Sequence, residues 1–323
     1  MKILYIYKDY FQRRKQYGKI MRKFGHDVFF LKKKHKRDVN SISIKEIKEC
    51  NPDLIWFLSP WYVKYNPIVM DYIHSKKIPI TFYHGVSSRF PYTDWLDIWK
   101  QFTIIFSTMR KFCEYLKKNN IDSYFIPFGF YPNQYFKCVQ QKKYNISFAG
   151  TIDKKVSPTK DDRCIYINSL KNIKKVVAHG ISFKKKLHKN ISVIQCKSHA
   201  EQREAYAQSK INLDLPWASG GCSFYDKKYQ FRNRFFEIPA TGNFMLTLKC
   251  PEFLEIFGED AVGYYENNVE SFKQEANRYL KDKDLRLKKS KIAYNIVHQK
   301  HTFTHRFKEM FKILKKHEIG SWK

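Results

Sequence analysis

Three observations predict an α/β fold with two doubly wound halves and a helical end. The chain has 323 residues, which is long enough for two domains that each bury their own core. Short apolar segments alternate with amphipathic ones, which indicates parallel strands joined by right-handed helical crossovers. This alternation breaks at residues 128–143, where Gly, Pro, Asn, Gln and Lys predominate, and then begins again. We therefore expect the link between the two halves there.

In the first half, the expected strands are short apolar runs rich in β-branched and aromatic residues. They cover residues 1–7, 27–31, 54–58, 80–83, 103–107 and 124–126. The intervening segments predict helices at about 11–24, 66–75 and 110–119. A further short helix should begin after Ser43, because Ser43 and Glu46 have the spacing of a capping box.

In the second half, the expected strands cover residues 144–150, 175–178, 211–215, 243–247 and 261–265. Ser198 and Glu201 form a second capping-box pattern, which predicts a helix that continues to Ser209. Further helices are expected at about 251–257, 269–281, 284–298 and 302–316. Ligands of such parallel sheets bind at the carboxyl ends of the strands.

The net charge of +31 indicates anionic partners. Basic residues outnumber acidic ones by 25 to 11 in residues 1–140 and by 36 to 19 afterwards, so the excess is spread over both halves. Such a field concentrates polyanions: a nucleotide donor, a phosphorylated glycan or lipid, an anionic membrane face or nucleic acid. The alternative is a solvated lysine-rich surface without a specific partner.

The cysteines and the apolar runs indicate a cytosolic protein. Seven cysteines are scattered and never form C-x-x-C, so we expect reduced thiols and no zinc site. No apolar run approaches the roughly 18 residues that span a bilayer. The first residues, MKILYIY, resemble a strand and not a signal peptide.

Residues 232–242 are the segment with the clearest chemistry. Arg232, Arg234 and Glu237 lie just before a glycine stop at Gly242, and an apolar strand follows at once. Arg234 and Glu237 are three residues apart, so on a helical turn they share one face. A cation for phosphate beside an acceptor for hydroxyls suits a nucleotide diphosphate. Pro239 should kink this helix or shorten it to about two turns.

Several segments of residues 144–310 resemble, in order, the motifs of the CgeB-like glycosyltransferases, a branch of the GT-B superfamily. They are Ser147-Phe148-Ala149-Gly150, the following Arg163, Lys210-Ile211-Asn212-Leu213, Arg234-x-Phe236-Glu237-x-x-Ala240-x-Gly242, Pro251-Glu252-x-x-Glu255-x-Phe257 and His301-Thr302-Phe303-x-His305-Arg306. Each motif alone is weak, but their order and spacing are fairly specific.

The resemblance implies a GT-B fold, with two Rossmann-like domains facing across a cleft. Residues 1–140 would be the acceptor domain and residues 141–300 the nucleotide-sugar domain. Residues 301–323 would form a helix that crosses back to the first domain. The implied reaction moves a sugar from a UDP- or GDP-linked donor to a hydroxyl of a glycan or lipid-linked glycan. The implied reaction uses neither a metal nor a separate cofactor. We expect the protein to be cytoplasmic, with peripheral contact to the inner face of the membrane as one option.

The resemblance also implies the residues that bind the donor. Glu237 would accept hydrogen bonds from both ribose hydroxyls; the alternative is a surface glutamate paired with Arg234. Arg163 and Arg234 are candidates for the diphosphate, because a guanidinium fork matches phosphate oxygens. Backbone amides near Gly150 and Thr151, and the loop at Gly220 and Gly221, complete the predicted donor site.

The predicted catalytic residues are less specific. His84 ends a strand where related enzymes often place a histidine near the donor sugar, and the alternative is a polar loop histidine. Asp9 follows the first strand at the same sheet edge and is a candidate acceptor-side base. Tyr229 stands where many retaining relatives carry a second glutamate, eight residues before Glu237. The segment therefore indicates nucleotide recognition better than it indicates a mechanism.

Other charged clusters have simpler interpretations. Asp282-Lys283-Asp284 resembles a metal-binding D-x-D, but it lies between two C-terminal helices and is interpreted as surface charge. The basic clusters at residues 32–37 and 184–189 would face an anionic membrane or a phosphorylated acceptor. Trp61, Tyr62 and Tyr65 would either stack on a sugar or base, or pack in the core.

Two alternatives to a glycan-modifying enzyme remain. In the first, the acceptor is nucleic acid, such as a hydroxymethylated base in DNA, which the positive charge would attract. In the second, the protein keeps the fold but only binds nucleotides or polyanions, which the tyrosine at position 229 favours.

Overall fold

A computed structural model describes residues 1–8, 12–33, 42–84, 95–150, 162–179, 186–215 and 231–322. The chain forms two compact units. The first contains Met1–Pro127 together with Phe303–Lys323, and the second contains Phe128–Thr302.

The first unit is built on six parallel strands in the order β2-β1-β3-β4-β5-β6. The strands are β1 (Lys2–Lys8), β2 (Asp27–Lys33), β3 (Leu54–Phe57), β4 (Ile80–His84), β5 (Ile104–Ser107) and β6 (Ser123–Phe125). The helices are α1 (Gln12–Lys23), α2 (Ile44–Cys50), α3 (Trp61–Lys64), α4 (Pro67–Ser75), α5 (Leu96–Trp99), α6 (Arg110–Lys118) and α13 (Phe303–Lys316).

Local sequence patterns explain most of these elements. β3 and β5 are buried along their whole length, as expected for apolar strands in a sheet covered on both faces. The predicted capping box of α2 is confirmed: the Ser43 side chain accepts from the Glu46 amide at 3.2 Å, and the Glu46 carboxylate accepts from the Ser43 amide at 2.9 Å.

Helix α13 contributes a row of aromatic side chains to the core of the first unit. Phe303 and Phe307 lie 5.1 and 5.2 Å from the ring of Tyr17, measured between ring centroids. Phe307 also lies 5.6 Å from Trp56 of the central strand β3. The last helix of the chain therefore completes a core whose strands come from its beginning.

The second unit contains a second sheet of six parallel strands, in the order β12-β11-β10-β7-β8-β9. The strands are β7 (Tyr144–Ala149), β8 (Val176–His179), β9 (Ser192–Ile194), β10 (Ser209–Asp214), β11 (Met245–Leu248) and β12 (Gly263–Tyr265). The helices are α7 (Asp162–Ser169), α8 (His199–Ala207), α9 (Arg234–Ala240), α10 (Pro251–Phe257), α11 (Val269–Lys281) and α12 (Lys283–Lys300).

The order of these strands reverses between β7 and β10. The chain proceeds from β7 through β8 to β9 on one side, and β10 then pairs with the other side of β7. In open α/β sheets, ligands bind outside the carboxyl ends of the strands at such a switch point. In the second unit, this point lies where Ala149 and Asp214 end their strands.

Helix α9 confirms two predictions for the segment at residues 232–242. The helix has seven residues, about two turns, and contains Pro239. Gly242 follows the C-cap with a positive φ of 74°, the left-handed conformation that glycine adopts without strain.

Helix α8 differs in one detail from the predicted capping box, because the Glu201 carboxylate accepts from the Lys197 amide and not from the Ser198 amide.

The structure also bears on the expected absence of membrane-spanning segments and on the expected reduced cysteines. Of the helices in the described ranges, none combines the length and the apolar character that a membrane crossing requires. The six described cysteines are free thiols.

Candidate functional site

Arg234 lies at the switch point of the second sheet. Its Nε donates to Oδ1 of Asp214 at 2.8 Å, Nη2 donates to the Leu215 carbonyl at 2.6 Å, and Nη1 donates to the Ala149 carbonyl at 3.3 Å. Its guanidinium also lies 4.8 Å above the centre of the Phe148 ring. A guanidinium has five N–H groups, and three of them bond to the ends of β7 and β10.

Asp214 is the buried anion that holds Arg234 in place. Its side chain is fully buried, whereas the Arg234 side chain is 11% exposed. Burial raises the pKa of Asp214, while Arg234 and the hydroxyl of Thr247 act in the opposite direction. Thr247 donates to Oδ2 of Asp214 at 3.1 Å. Both carboxylate oxygens are therefore occupied by the protein itself.

Gly150 leaves the space that Arg234 needs. A Cβ at this position would lie 2.9 Å from Nη1 of Arg234 and 2.7 Å from the Phe148 ring, which is closer than real contacts allow. The amide of Gly150 donates to the His179 carbonyl at 3.1 Å. The described role of this glycine is therefore close packing, and its predicted contact with a donor stays a prediction.

Three arginines come together at this edge of the sheet: Arg163, Arg232 and Arg234, here called the arginine cluster. Burial lowers the pKa of Arg232 to about 10, and the charges of Arg234 and Arg163 contribute to the shift. Arg163 is buried in the first turn of α7. Within the described ranges, no carboxylate forms an ion pair with Arg232. Asp214 forms its ion pair with Arg234, and its charge partly offsets the lowering of the pKa of Arg232.

Glu237 lies in the first turn of α9 and is only 3% exposed. The alternative interpretation of a surface glutamate paired with Arg234 is therefore wrong, since Glu237 is buried and the Arg234 ion pair is with Asp214. A buried carboxylate next to an arginine cluster is a common feature of ligand sites. Its predicted bonds to ribose hydroxyls stay a prediction.

His179 ends β8 and is paired with Ala149 of β7 in the sheet register. Its Nδ1 lies 3.3 Å from Sγ of Cys196. Burial lowers the pKa of His179 to about 4, and burial also raises the pKa of Cys196 to about 11, with the charge of Glu201 adding to it. Both groups are therefore neutral at pH 7. Nε2 of His179 is buried and has no hydrogen-bond partner in the described part of the chain.

The remaining predicted site residues lie mostly outside the described ranges. Asp9, Thr151, Gly220 and Gly221 are among them, as is Tyr229. His84 ends strand β4 at the carboxyl edge of the first sheet, opposite Ser107 of β5, but its side chain is not described. The predictions for these residues stay predictions.

The other charged clusters singled out in the sequence are the D-x-D segment at residues 282–284 and the two basic clusters. Asp282 caps α12, because its Oδ1 accepts from the Leu285 amide at 2.8 Å. Among the described residues, no group of three His, Cys, Asp or Glu side chains has the spacing of a metal site. Only residues 32–33 and 186–189 of the two basic clusters are described.

Sequence reasoning did not select Asp214 and Arg232 as site residues. Asp214 is the one acidic residue at the end of the apolar run Ile211–Leu215, so its place at a strand end was a usable signal. Arg232 is two residues from Arg234 and lies before the helix, and this spacing carries no pattern of its own. Only the folded chain brings Arg163, 69 positions earlier in the sequence, close to it.

The first unit presents an aromatic patch after strand β3, formed by Trp61, Lys64, Tyr65 and Trp95. The rings of Trp61 and Tyr65 are stacked with centroids 5.4 Å apart, and Trp61 meets the edge of Trp95 at 4.5 Å. Nζ of Lys64 lies 4.4 Å above the Trp95 ring. Tyr65 is 44% exposed, so the patch reaches the surface.

The two parallel sheets define the fold class: the fold matches that of GT-B glycosyltransferase structures, with two Rossmann-like domains. Residues 163–312 match the family model described as glycosyl transferase-like. A comparison with curated protein sequences finds no significant match. The narrower CgeB-like assignment stays a prediction.

Several solved structures share this fold along nearly the whole chain. Sucrose-phosphate synthase from Thermosynechococcus elongatus aligns with a TM-score of 0.70 at 10% identity, over 97% of this chain and 98% of that one. HepE from Anabaena, in complex with UDP-glucose, aligns with a TM-score of 0.67 at 12% identity, over 98% and 100%. An E. coli structure described as trehalose-6-phosphate bound with UDP-2-fluoro glucose aligns with a TM-score of 0.70 at 7% identity, over 98% and 99%. At these identities, the likeness concerns the fold.

Proposed function

We propose that this protein is a glycosyltransferase that moves a sugar from a nucleotide-diphosphate sugar to a hydroxyl of a glycan or lipid-linked glycan. The observation that carries the proposal is the arginine cluster at the switch point of the second sheet. Arg232 is held there with other arginines and without a carboxylate partner in the described ranges. A bound diphosphate would supply the missing negative charge.

Two of the structures with this fold support the choice of donor. The Anabaena structure contains UDP-glucose, and the E. coli structure contains UDP-2-fluoro glucose. In this chain, the cluster lies outside the carboxyl ends of β7 and β10, where open α/β sheets bind their ligands. The fold and the charge thus favour the same place for a nucleotide diphosphate.

The described residues divide the work at this site. Arg163 and Arg232 would bind the diphosphate and stabilise the negative charge that develops as it leaves. Arg234 would act mainly as a positioning residue, because three of its N–H groups are bonded to the protein. Glu237 would accept hydrogen bonds from the ribose hydroxyls. We propose that these cations stabilise the departing diphosphate without a metal ion.

The aromatic patch supports a glycan as the acceptor. Sugars bind well to aromatic faces, which offer apolar area with little loss of side-chain entropy. The stacked rings of Trp61 and Tyr65 provide such a face in the first unit, and Lys64 adds a cation for an acidic or phosphorylated glycan. The hydroxyl that is modified would then belong to a sugar and not to a nucleobase.

The first test is a thermal-shift panel of UDP-glucose, UDP, GDP, GDP-mannose and uridine, with hydrolysis of each sugar nucleotide measured in parallel. A ligand at 100 times its Kd should stabilise the fold by roughly 2.7 kcal/mol. We expect stabilisation by a diphosphate nucleotide, little effect of uridine, and slow hydrolysis that continues in EDTA. The proposal is wrong if no nucleotide raises Tm and no sugar is released.

The same panel separates the alternative of a protein that only binds nucleotides. That alternative predicts stabilisation by UDP or GDP without hydrolysis or transfer from any sugar nucleotide. Glu237→Gln provides a further distinction, because it should reduce affinity for UDP-glucose in an enzyme that holds the ribose through this carboxylate. The variant should keep its circular-dichroism spectrum, since glutamine preserves the size of the buried side chain.

A further inference from the structure

A basic cavity lies at the opposite edge of the second sheet from the arginine cluster. Helix α12 lines one side of it with Lys283, Arg286, Leu287 and Ser290, which follow the i, i+3, i+4, i+7 spacing of one helical face. The other side is formed where strands begin: Lys142 precedes β7, Lys210 lies at the start of β10, and Asn243 and Phe244 precede β11. The cavity has a volume of about 200 Å³.

Two of the cations in this basic cavity are held by neutral acceptors. Nζ of Lys142 donates to the Ala207 carbonyl at 2.7 Å and to the Asn243 side chain at 2.9 Å. Nη1 of Arg286 donates to carbonyls at the end of α11, namely Tyr279, Leu280 and Asp282. Carbonyl and amide oxygens orient these groups but leave their full charge in place.

No carboxylate in the described ranges forms an ion pair with Lys142, Lys210, Lys283 or Arg286. The carboxylate nearest in sequence, Asp282, accepts from the Leu285 amide as the cap of α12. Lys142 is exposed, but desolvation around its bonded ammonium group lowers its pKa to about 8, and the charge of Arg286 contributes to this shift. The basic cavity therefore gathers four cations, of which Arg286 is buried and Lys210 half-buried, and no carboxylate of the described residues lines it.

We propose that the basic cavity is a second anion site, which binds a phosphate monoester such as a sugar phosphate. The volume of about 200 Å³ has room for on the order of ten water molecules, enough for a phosphate group with a sugar attached. A dianionic phosphate would place its charge among Lys142, Lys210, Lys283 and Arg286. The apolar side chains of Leu287 and Phe244 would contact the body of the ligand.

The site is separate from the donor site and does not depend on the proposed reaction. The arginine cluster lies at the carboxyl ends of the strands, whereas the basic cavity lies where β7, β10 and β11 begin. A ligand here would link the beginning of α12 to the strand edge. It would therefore stabilise the second unit whether or not a nucleotide is bound.

The test compares two variants of the full chain with the unchanged protein. In Lys210→Gln with Lys283→Gln, two cations of the cavity are removed at positions that make no described hydrogen bond. Arg232→Gln is the matched control, because it removes a cation from the arginine cluster instead. Inorganic phosphate, glucose 6-phosphate, glucose and potassium chloride at equal ionic strength serve as probes in calorimetry and thermal shift.

We expect glucose 6-phosphate to bind and raise Tm beyond the chloride control, and glucose alone to have no effect. The double variant should weaken this binding at least tenfold, whereas Arg232→Gln should leave it within twofold. Tighter binding of glucose 6-phosphate than of inorganic phosphate supports a sugar phosphate, and equal binding supports the phosphate group alone as the recognised part. An unchanged affinity in the double variant, or a shift no larger than that of chloride, would overturn the proposal.

Discussion

The positive charge of Arg232 is destabilised by burial and by two neighbouring arginines, which lower its pKa. A bound anion would therefore stabilise this residue. We predict that Arg232→Gln reduces affinity for UDP about tenfold to a hundredfold, since hydrogen bonds to charged groups contribute about 1.5–3 kcal/mol. The fold should be no less stable, because the substitution removes repulsion. Isothermal titration calorimetry measures the first effect and urea unfolding the second.

The control for Arg232 is Arg278→Gln on the outer face of α11. Arg278 is 59% exposed and pairs with Glu275 at 3.3 Å, so its loss should change neither quantity appreciably. If Arg232→Gln bound UDP as tightly as the unchanged protein, the diphosphate would have to be held elsewhere.

Asp214 differs from Arg232, because we expect it to stabilise the fold and not to bind the ligand. Asp214→Asn keeps the size of the side chain but leaves Arg234 at the end of the sheet without its anion. We predict a loss of about 3–5 kcal/mol in the free energy of unfolding, the usual cost of breaking a buried pair from one side. Urea unfolding provides the measurement. The control is Glu270→Gln, which breaks an exposed ion pair and should lower the free energy of unfolding by less than about 1 kcal/mol.

His26 predicts how stability depends on pH. It is buried against Phe311 at 4.2 Å between ring centroids, and burial together with the N-terminal charge lowers its pKa to about 4. The unfolded histidine, with a pKa near 6.5, takes up a proton first as the pH falls. His26 therefore does not reduce the free energy of unfolding above about pH 6.5. Between about pH 6.5 and pH 4, its protonation in the unfolded chain lowers this free energy by up to about 3 kcal/mol.

The measurement for His26 is urea unfolding at pH 7.5 and at pH 4.5. His26→Phe removes the titrating group, so its loss of stability between the two values should be smaller than that of the unchanged protein. His179, whose pKa is also lowered to about 4, should account for part of the loss that remains. Equal pH dependence in both proteins would contradict the assignment to His26.

At the scale of elements, short-range patterns predicted much of the fold. The capping box of α2, the proline-shortened α9 and the glycine that follows it depend on residues within a few positions of each other. The pairing of Arg234 with Asp214 spans 20 positions and depends on β10 lying beside β7. Such a contact follows from strand order, and a single sequence does not encode strand order in any local spacing.

Helix α13 shows that an element far along the chain supports the first core. Phe307 is fully buried between Tyr17 and Trp56. We predict that Phe307→Ala costs about 3–5 kcal/mol in the free energy of unfolding of the first unit. Lys308→Ala, on the exposed side of the same helix, should cost less than about 0.5 kcal/mol.

The effect of Phe307→Ala on ligand binding is a separate readout. The arginine cluster belongs to the second unit, so UDP affinity measured well below Tm should stay within about twofold. A large loss of UDP affinity without a loss of stability would show that α13 contributes to the donor site directly.

At the scale of the whole molecule, the net charge of +31 makes weak binding to any polyanion expected. Such binding to duplex DNA should weaken steeply with salt, because each neutralised phosphate releases counterions. We predict that DNA binding is measurable at about 20 mM salt and lost at about 150 mM, and that hydroxymethylated DNA binds no better than unmodified DNA.

Transfer assays at 150 mM salt then decide between the two acceptor classes. Glycan or lipid-linked glycan acceptors should receive the radiolabelled sugar, and hydroxymethylated DNA should not. The matched variant is Trp61→Ala with Tyr65→Ala, which removes the stacked rings of the aromatic patch without changing the net charge. It should raise KM for the glycan about tenfold or more and leave hydrolysis of the sugar nucleotide unchanged. Transfer to DNA that persists at this salt concentration would instead assign the positive surface to nucleic acid, and the glycan proposal would be wrong.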